Sequence, residues 1–351
     1  MLELLAVGHS TSLTPQPETE LETQLETLLL ADELQSNAFG VTAANVKSVV
    51  QQRSHLLQQI YPEFDSFCRT HLGWQTYSLE TLWNLWLPLA IELAEKRRQL
   101  ERPLIQGILG GQGTGKTTLA AILTLILKHL GYRVCSLSLD DLYKTYSDRL
   151  QLQQADPRLR WRGPPGTHDI QLGLTTLQQL RLAEPSQPVQ IPRFDKSAWN
   201  GAGDRTDPET VAGVDIVLFE GWFVGVRPID PALFETAPLP IVSPDDRAFA
   251  REINQRLHEY LPLWELLDAL ILLYPKDYRL SQQWRQQAEQ QMKATGRSGM
   301  TDLEIEQFVS YFWRSLHPDL FITPLQHNPH LVDLVIEINP DHLPGAVCRP
   351  G

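Results

Sequence analysis

One eight-residue stretch has the residue types and spacing of a phosphate-binding loop: Gly, four residues, Gly, Lys and then Ser or Thr. It consists of Gly110, Gly111, Gln112, Gly113, Thr114, Gly115, Lys116 and Thr117, and Thr118 follows it. Glycines let the backbone turn tightly, so that successive N–H groups and a helix N-terminus point at one anion. Lys116 would add positive charge, and the Thr117 hydroxyl is a hard oxygen ligand of the kind that Mg²⁺ prefers. The stretch therefore predicts a site for magnesium-bound phosphates.

The residues on both sides of this loop have the pattern that such a site requires. Residues 103–109 read as a short buried strand, and residues 119–130 are apolar almost all round, as in a helix enclosed by a core. The alternative is a glycine-rich turn that matches the phosphate-binding pattern by chance. The flanking strand and helix patterns would then also have to arise by chance. The sequence therefore predicts a strand, a phosphate-binding loop and a helix in succession.

Two further predicted strands end in acidic residues. The first, over residues 132–139, leads to Asp140 and Asp141, and the second, over residues 215–222, is nearly all apolar and carries Glu220. The carboxyl ends of parallel strands form the crevice where open α/β sheets bind ligands. A carboxylate there can take a proton from a hydroxyl during phosphoryl transfer, and another can hold Mg²⁺ through water. Turn formation and helix capping are the structural alternatives.

Charged residues recur in two polar segments. Residues 144–166 predict a loop that could cover a substrate, although Arg158, Arg160 and Arg162 within it also fit a solvated charge cluster. Thr167 or Asp169 would cap the helix predicted over residues 170–183.

The second segment follows a brief predicted strand at residues 189–192 and is expected to be a loop with glycine hinges. Its charged residues are Arg193, Asp195, Lys196, Asp204 and Arg205. Arginine grips a carboxylate bidentately and aspartate accepts from hydroxyls, so the loop suits a small anionic polyol. A surface loop whose charges pair with one another is the alternative.

A helix pair is predicted after the central strand at residues 267–274. The first helix covers residues 279–294, residues 296–299 break it, and Thr301 caps the second. Arg-rich helices in this place could close as a lid that excludes water, or could be an amphipathic pair with solvated arginines. Residues 331–338 predict a last strand, after which residues 339–343 could pass near a nucleotide base.

Composition limits the partners that we expect. The 351 residues include 42 acidic and 30 basic ones, a net charge of −12 without a long basic tract, so nucleic acid is not expected. No apolar run approaches the roughly 18 residues of a membrane span, and the first turn lacks the basic region of a secretory signal. The three cysteines, at positions 68, 135 and 348, favour a reducing cytoplasm without disulfides, and no zinc pattern is present.

Taken together, the motifs resemble those of D-glycerate 3-kinases of the plant and cyanobacterial type over about residues 61–338. The shared segments are the phosphate loop, 140–143, 166–169, 195–197, 203–205 and 219–222, with Asn254, Tyr260, 263–265, Trp284, Arg285 and Glu289 beyond them. Leu142 departs from the phenylalanine that we would expect there, which affects local packing alone. Residues 1–60 lie outside the resemblance and are predicted to form a helical extension.

The resemblance implies an α/β fold of the P-loop NTPase type, a three-layer sandwich with a mainly parallel central sheet and a helical lid at about residues 279–316 of a kinase domain spanning 61–351. It implies phosphorylation of D-glycerate by ATP with Mg²⁺ as a cofactor, as in photorespiratory glycerate recycling. Lys116, Asp140 and Arg285 would be catalytic, with Asp140 the base, and Thr117 and Glu220 would hold the metal. Candidate acceptor-binding residues are His168, Asp169, Arg193, Asp195, Lys196 and Arg205.

Other functions stay open at this stage. A uridine, pantothenate or ribulose phosphate kinase belongs to the same class, whereas a nucleotide-driven switch that binds a protein partner belongs to another. The chain has neither an Asn-Lys-x-Asp guanine signature nor an Asp-x-x-Gly switch after its candidate strands. An inactive scaffold is disfavoured because Lys116, Thr117, Asp140 and Glu220 are all present.

Overall fold

The computed structural model describes Leu2, Ala6 and residues 15–182, 184, 186–294 and 300–351. The strands in these residues are β1 (Leu104–Gly110), β2 (Val134–Ser138), β3 (Pro188–Asp195), β4 (Asp204–Ala212), β5 (Ile216–Gly221), β6 (Ala269–Pro275), β7 (Leu334–Ile338) and β8 (Pro344–Cys348). Six of them form a central sheet in the order β2-β5-β1-β6-β7-β8, parallel except for β8, which runs antiparallel to β7. The five central strands predicted from sequence are confirmed, and β8 was not predicted.

Ten longer helices surround this sheet in the described residues. They are α1 (Pro15–Ala31), α2 (Glu33–Ala38), α3 (Val46–Thr70), α4 (Leu87–Gln99), α5 (Lys116–His129), α6 (Tyr146–Ala155), α7 (Ile170–Leu182), α8 (Pro244–Arg256), α9 (Leu280–Ala294) and α10 (Asp302–Ser315). A π-helical turn, Leu82–Trp86, leads directly into α4. None of the described helices is both long enough and apolar enough to cross a membrane.

Helices cover both faces of the sheet, and this arrangement explains the continuous apolar runs of its middle strands. Every residue of β1 and β5 is buried. One core contains side chains of α3, α4 and α5, and the other contains side chains of α7, α8 and α10. A strand covered on both faces has no polar side, so its sequence does not alternate. The three-layer α/β sandwich predicted from sequence is confirmed.

The N-terminal helices are part of the first core. In α3 the buried side chains include Val50, Leu57 and Phe64, which recur every seven residues and so lie on one helix face. The predicted boundary between residues 60 and 61 falls inside this continuous helix, and residues on both sides of it share one core. The division of the chain into an extension and a kinase domain therefore stays a prediction.

Two segments expected to be loops contain regular structure. Residues 144–166 include α6, which begins at a cap where the Thr145 hydroxyl accepts from the Asp148 N–H. The loop expected at residues 193–205 is instead the end of a β-hairpin, in which Phe194 pairs with Arg205 and Asp195 with Asp204. The expectation failed because residues 206–211 are mostly exposed and polar, and a two-stranded hairpin with one solvated face gives no continuous apolar run.

The predicted helix pair after β6 is present as α9 and α10. Thr301 caps α10 as expected, since its hydroxyl accepts from the Glu304 N–H while the Glu304 carboxylate accepts from the Thr301 N–H. The break predicted at residues 296–299 lies outside the described residues. Whether the pair moves as a lid stays a prediction.

Candidate active site

The phosphate-binding loop joins the end of β1 to the start of α5. Gly113 and Gly115 have φ angles of 81° and 84°, in the left-handed region that favours glycine. A Cβ atom on Gly113 would also lie 2.8 Å from the Cβ of Trp284, so α9 packs directly against the loop. The loop is held by the Thr114 hydroxyl, which donates to the Gly111 carbonyl oxygen over 2.9 Å. Its free N–H groups and the N-terminus of α5 can therefore converge on a phosphate.

Lys116 and Thr117, the first residues of α5, meet a carboxylate at the end of β5. The Lys116 ammonium donates to the Gly111 carbonyl oxygen over 2.9 Å, and the Thr117 hydroxyl donates to Glu220 Oε1 over 3.1 Å. Burial lowers the pKa of Lys116, and the carboxylates of Glu220 and Asp140 oppose that shift. The loop cation and two predicted carboxylates thus lie in one crevice at the carboxyl ends of β1, β2 and β5.

Glu220 is held in place by its strand. Its backbone lies between Ile108 of β1 and Ser138 of β2, and its side chain is 9% exposed. In the described part of the chain, His, Cys, Asp and Glu side chains form no group of three or more that could hold a metal ion. Glu220 and Thr117 nevertheless place two hard oxygen atoms beside the phosphate loop, a donor set that suits Mg²⁺ bound mainly by phosphates and water.

Asp140 and its neighbour Asp141 follow β2 in a single 3₁₀ turn but face different surroundings. Asp141 accepts from the Ser138 N–H, and burial raises its pKa. Asp140 Oδ2 lies 2.6 Å from the Lys196 ammonium. Burial alone would raise the pKa of Asp140, but Lys196 and the Tyr143 hydroxyl outweigh it, and the net shift is downward. Asp140 is therefore a carboxylate at neutral pH that faces the crevice.

The hairpin cations predicted to bind the acceptor differ in their partners. Arg193 donates to Asp141 Oδ2 over 3.0 Å and to Glu209 Oε2 over 2.6 Å. Arg205 donates to Asp169 Oδ2 over 2.7 Å. All three cations are thus paired with carboxylates of the chain, and Lys196, on the turn between β3 and β4, is the one paired with Asp140.

The two predicted aspartates of this region have local backbone partners. Asp169 Oδ1 accepts from the Leu172 N–H and so caps α7, which was the structural alternative foreseen for it. Asp195 accepts from the N–H and the hydroxyl of Ser197 at the start of the hairpin turn. The other oxygen of Asp169 is held by Arg205, so of the two aspartates Asp195 is the one whose second oxygen could meet an acceptor.

His168 lies in a buried aromatic cluster with a fixed hydrogen-bond pattern. The Gly166 N–H donates to the Tyr260 hydroxyl over 2.8 Å, and that hydroxyl lies 2.8 Å from His168 Nδ1. The hydroxyl hydrogen can go to Nδ1, and the imidazole proton would then lie on Nε2. Burial lowers the pKa of His168 to about 3, so the ring is neutral.

The Nε2 atom of His168 is buried and has no hydrogen-bond partner among the described residues. The Tyr143 ring stacks on the imidazole with 4.6 Å between centroids. Sequence reasoning named His168 but gave no chemical role to Tyr143 or Tyr260. Residue type offered no signal for them, because both tyrosines sit in apolar surroundings that any aromatic side chain could fill.

Arg285, the predicted lid arginine, lies on α9 and pairs with Glu289 Oε1 over 2.5 Å. Its guanidinium carbon lies 5.3 Å from the centre of the Phe308 ring of α10. The preceding residue, Trp284, is the one that packs on the phosphate loop, and its indole N–H donates to the Pro340 carbonyl oxygen over 3.0 Å. The structure thus directs Arg285 along the helix pair rather than toward Lys116.

A cavity of about 680 Å³ adjoins the outer side of the phosphate loop. It is bounded by residues 113–119 on one side and by residues 341–344, with Trp74, Tyr77 and Ser78, on the other. The Nδ1 atom of His342 lies 3.0 Å from the Gly113 carbonyl oxygen. The size of this cavity fits a nucleoside. The connection after β7, which was expected near the nucleotide base, forms part of the cavity lining.

Comparison with curated proteins finds kinases. The chain is 32% identical to the chloroplastic D-glycerate 3-kinase of Arabidopsis thaliana over 255 residues, which are 69% of this chain and 54% of that protein. It therefore spans about half the length of that relative. It is 30% identical over 263 residues to an uncharacterized kinase of Schizosaccharomyces pombe, of which the match covers 94%. No family model matches the chain.

Comparison with solved structures gives the same grouping. The D-glycerate 3-kinase of Cryptococcus neoformans aligns with a TM-score of 0.65 and 30% identity, covering 74% of this chain and 96% of that one. A sequence that is 30% identical across nearly the full length of this D-glycerate 3-kinase and of the Schizosaccharomyces pombe kinase shares their family as well as their fold. The phosphate loop, the Glu220 strand and these matches together show that this chain belongs to the D-glycerate 3-kinase family of P-loop kinases.

Proposed function

We propose that the protein transfers the γ-phosphoryl group of ATP to D-glycerate, giving ADP and 3-phospho-D-glycerate. The observation that carries the proposal is the convergence of Lys116, Glu220 and Asp140 on one crevice, where their charges act on one another. A phosphate-binding cation, a metal-binding carboxylate and a base are the groups that phosphoryl transfer to a hydroxyl requires. The family matches support glycerate as the acceptor.

The donor nucleotide would bind along the phosphate loop. Amide N–H groups at residues 113–118 and the Lys116 ammonium would hold the β- and γ-phosphates, which requires the ammonium to leave the Gly111 carbonyl oxygen. The nucleoside would occupy the adjoining cavity of about 680 Å³. Burial of Lys116 strengthens its attraction for phosphate because the low dielectric screens charge poorly.

Thr117 and Glu220 would hold Mg²⁺ through the hydroxyl and, by way of water, the carboxylate. When bound, the ion neutralises charge on the phosphate oxygens. The two protein oxygens now share a hydrogen bond of 3.1 Å, so their side chains are already directed at the same point.

Asp140 would act as the base. The C3 hydroxyl oxygen of glycerate forms a bond to the γ-phosphorus, the bond from that phosphorus to the β,γ-bridging oxygen breaks, and the hydroxyl proton passes to Asp140. Because the pKa of Asp140 is lowered, it is ionised at neutral pH and can accept this proton. Lys196 must move away from Asp140 for the hydroxyl to bind, and its ammonium can then pair with the carboxylate of glycerate.

His168 would donate from Nε2 to an oxygen of the acceptor, since the Tyr260 hydroxyl occupies Nδ1. Arg285 would stabilise the transferring phosphoryl group once α9 and α10, the predicted lid at about residues 279–316, close over it. That closure requires Arg285 to leave Glu289. Lid closure is therefore the step that the Arg285–Glu289 ion pair would oppose.

We place the reaction in a reducing cytoplasm and in photorespiratory glycerate recycling. All three cysteines are free, and burial raises the pKa values of Cys68 and Cys135 to about 12, so both stay as unreactive thiols. The resemblance to plant and cyanobacterial enzymes supports the metabolic setting.

The test is a coupled assay of ADP release with D-glycerate, L-glycerate, uridine and pantothenate offered side by side with ATP and Mg²⁺. We expect turnover with D-glycerate and a product whose phosphate is on C3 by ³¹P NMR. Preferred turnover of uridine or pantothenate would instead make the protein another small-molecule kinase. Selective GTP binding without phosphorylation of any acceptor would make it a nucleotide-driven switch.

A further inference from the structure

Three arginines that line a single cavity lack a carboxylate partner. The cavity, of about 300 Å³, lies between α6, residues 159–162 and the hairpin turn at residues 200–202. We call it the arginine cavity after Arg149, Arg160 and Arg162. Most arginines of the described chain have a carboxylate oxygen within 4 Å, as expected for a protein of net charge −12, but these three have none among the described residues.

Two of these side chains are held in place by backbone oxygens. Arg149 donates to the carbonyl oxygens of Ala202 and Gly203, and Arg162 donates to those of Gly201 and Ala202 over 2.7 and 3.0 Å. Carbonyl oxygens orient a guanidinium but do not neutralise it. The two positive charges are therefore fixed beside the cavity, and the carboxylate that acts on Arg149, that of Asp204, lies beyond ion-pair distance.

The guanidinium groups of Arg149 and Arg162 also contact the same aromatic ring, that of Phe194. The guanidinium carbons of Arg149 and Arg162 lie 5.2 and 5.6 Å from the centre of the Phe194 ring. Burial, followed by repulsion from Arg162, lowers the pKa of Arg149. Bringing an anion into the cavity would relieve this repulsion.

Arg160 supplies the third cation and is the least engaged. Its guanidinium carbon lies 4.8 Å from the centre of the Trp161 ring and 6.0 Å from that of Tyr311 in α10. In the described part of the chain its N–H groups have no hydrogen-bond partner in the protein, so all five can serve a ligand.

We infer that the arginine cavity binds a small anion that carries a phosphate group, at a site separate from the phosphate loop. Guanidinium forks match the oxygen geometry of phosphate, and several of them suit a dianion better than a single carboxylate. The Arg162 guanidinium lies 6.0 Å from the centre of the Tyr143 ring, whose hydroxyl interacts with Asp140. The ring thus stands between this cavity and the base.

Inorganic phosphate is the probe for the test. The 351-residue chain is first saturated with magnesium and a non-hydrolysable ATP analogue, so that the phosphate loop is filled. Phosphate is then titrated by calorimetry at constant ionic strength. Arg160→Gln is the informative variant because Arg160 holds no backbone group. Arg158→Gln is the matched control, since Arg158 lies two residues away and pairs with Asp156 and Glu252.

We expect phosphate to bind the wild type and Arg158→Gln with affinities within about twofold, and Arg160→Gln about tenfold or more weaker, as for a lost charged hydrogen bond. Equal binding to all three proteins would show that the anion sits elsewhere, and absence of binding would overturn the inference. Because no acceptor or turnover is involved, neither result depends on whether glycerate is the substrate.

Discussion

The two halves of the candidate active site are built in different ways. The phosphate side comes from nine consecutive residues, 110–118, which run from the end of β1 into the first turn of α5. The acceptor side combines Asp140, His168, Lys196 and Tyr260, which lie on four separate segments. A site made by one local turn can be recognised from its sequence, whereas a site made by distant segments depends on how the elements pack.

The charges of the two halves differ as well. Lys116 donates to a backbone oxygen, so its positive charge stays available to a phosphate. On the acceptor side, Arg193 and Arg205 are neutralised by Asp141, Glu209 and Asp169. The number of cations in a sequence segment therefore overestimates the positive charge that a ligand meets. Of the three predicted hairpin cations, Lys196 is the one that faces Asp140, the proposed base.

The largest effect is expected from Asp140→Asn on the acceptor side. Loss of the base should lower kcat by about 10²–10⁴-fold, with nucleotide affinity unchanged. Steady-state kinetics and nucleotide titration measure the two quantities. Asp141→Asn is the matched control, because that carboxylate caps the turn and pairs with Arg193, and its kcat should stay within about tenfold of wild type. Near-normal turnover of Asp140→Asn would exclude Asp140 as the base.

On the phosphate side, Lys116→Met should lower kcat by about 10²–10³-fold, the range for one group that stabilises transition-state charge. It should also weaken binding of ATP. Lys128→Met changes an exposed lysine in the last turn of the same helix and should leave both quantities unchanged. If the two variants behaved alike, the phosphate side would not act through Lys116.

Lys196→Met separates the two roles of that side chain. The KM for glycerate should rise about tenfold or more, as a charged hydrogen bond to the acceptor is lost. The acid limb of the kcat/KM profile should move to higher pH, because without Lys196 the effect of burial, which raises the pKa of Asp140, is opposed mainly by the Tyr143 hydroxyl. A base with a higher pKa is protonated, and so inactive, at a higher pH. Lys276→Met, which removes a cation paired with Glu337, is the control, and an unmoved acid limb would contradict the pairing.

Tyr260→Phe should lower kcat/KM for glycerate by about two- to tenfold, because the proton of His168 is no longer confined to Nε2. Tyr311→Phe removes another buried hydroxyl, one that makes a long hydrogen bond of 3.4 Å, and should not change kcat/KM. The double variant Tyr260→Phe, His168→Gln should be no worse than His168→Gln alone. Additive losses would mean that Tyr260 acts through packing instead.

The smallest effect on catalysis is expected from Arg193→Gln, although it lies in the same hairpin as Lys196. The KM for glycerate should stay within about twofold of wild type, while the free energy of unfolding falls by about 1–3 kcal/mol as the partly buried partner Asp141 loses its cation. Denaturant unfolding measures the second quantity. A large rise in KM with unchanged stability would return Arg193 to the acceptor-binding role predicted from sequence.

Features that depend on interactions between neighbouring residues were predicted from the sequence, and features that depend on contacts between distant residues were not. The central strands, α5, α7 and the Thr301 cap were predicted because hydrophobic runs and caps are local signals. A strand was predicted at residues 189–192 of β3, but a loop was predicted at residues 193–205, where the polar face of the β3–β4 hairpin hides the strand pattern. The pairing of Arg193 and Arg205 with chain carboxylates joins residues up to 52 positions apart and could not be read from spacing.

By itself, the sequence determined the phosphate loop, the buried strands that lead to Asp140 and carry Glu220, and the resemblance to one kinase family. Each of these features depends on residues that are neighbours in the chain. Tertiary structure alone decided which cations stay unpaired, which nitrogen of His168 meets the Tyr260 hydroxyl and which side chains border the nucleotide-sized cavity. These properties depend on the distance between groups from separate elements, and a charge or a proton responds to that distance rather than to separation along the chain.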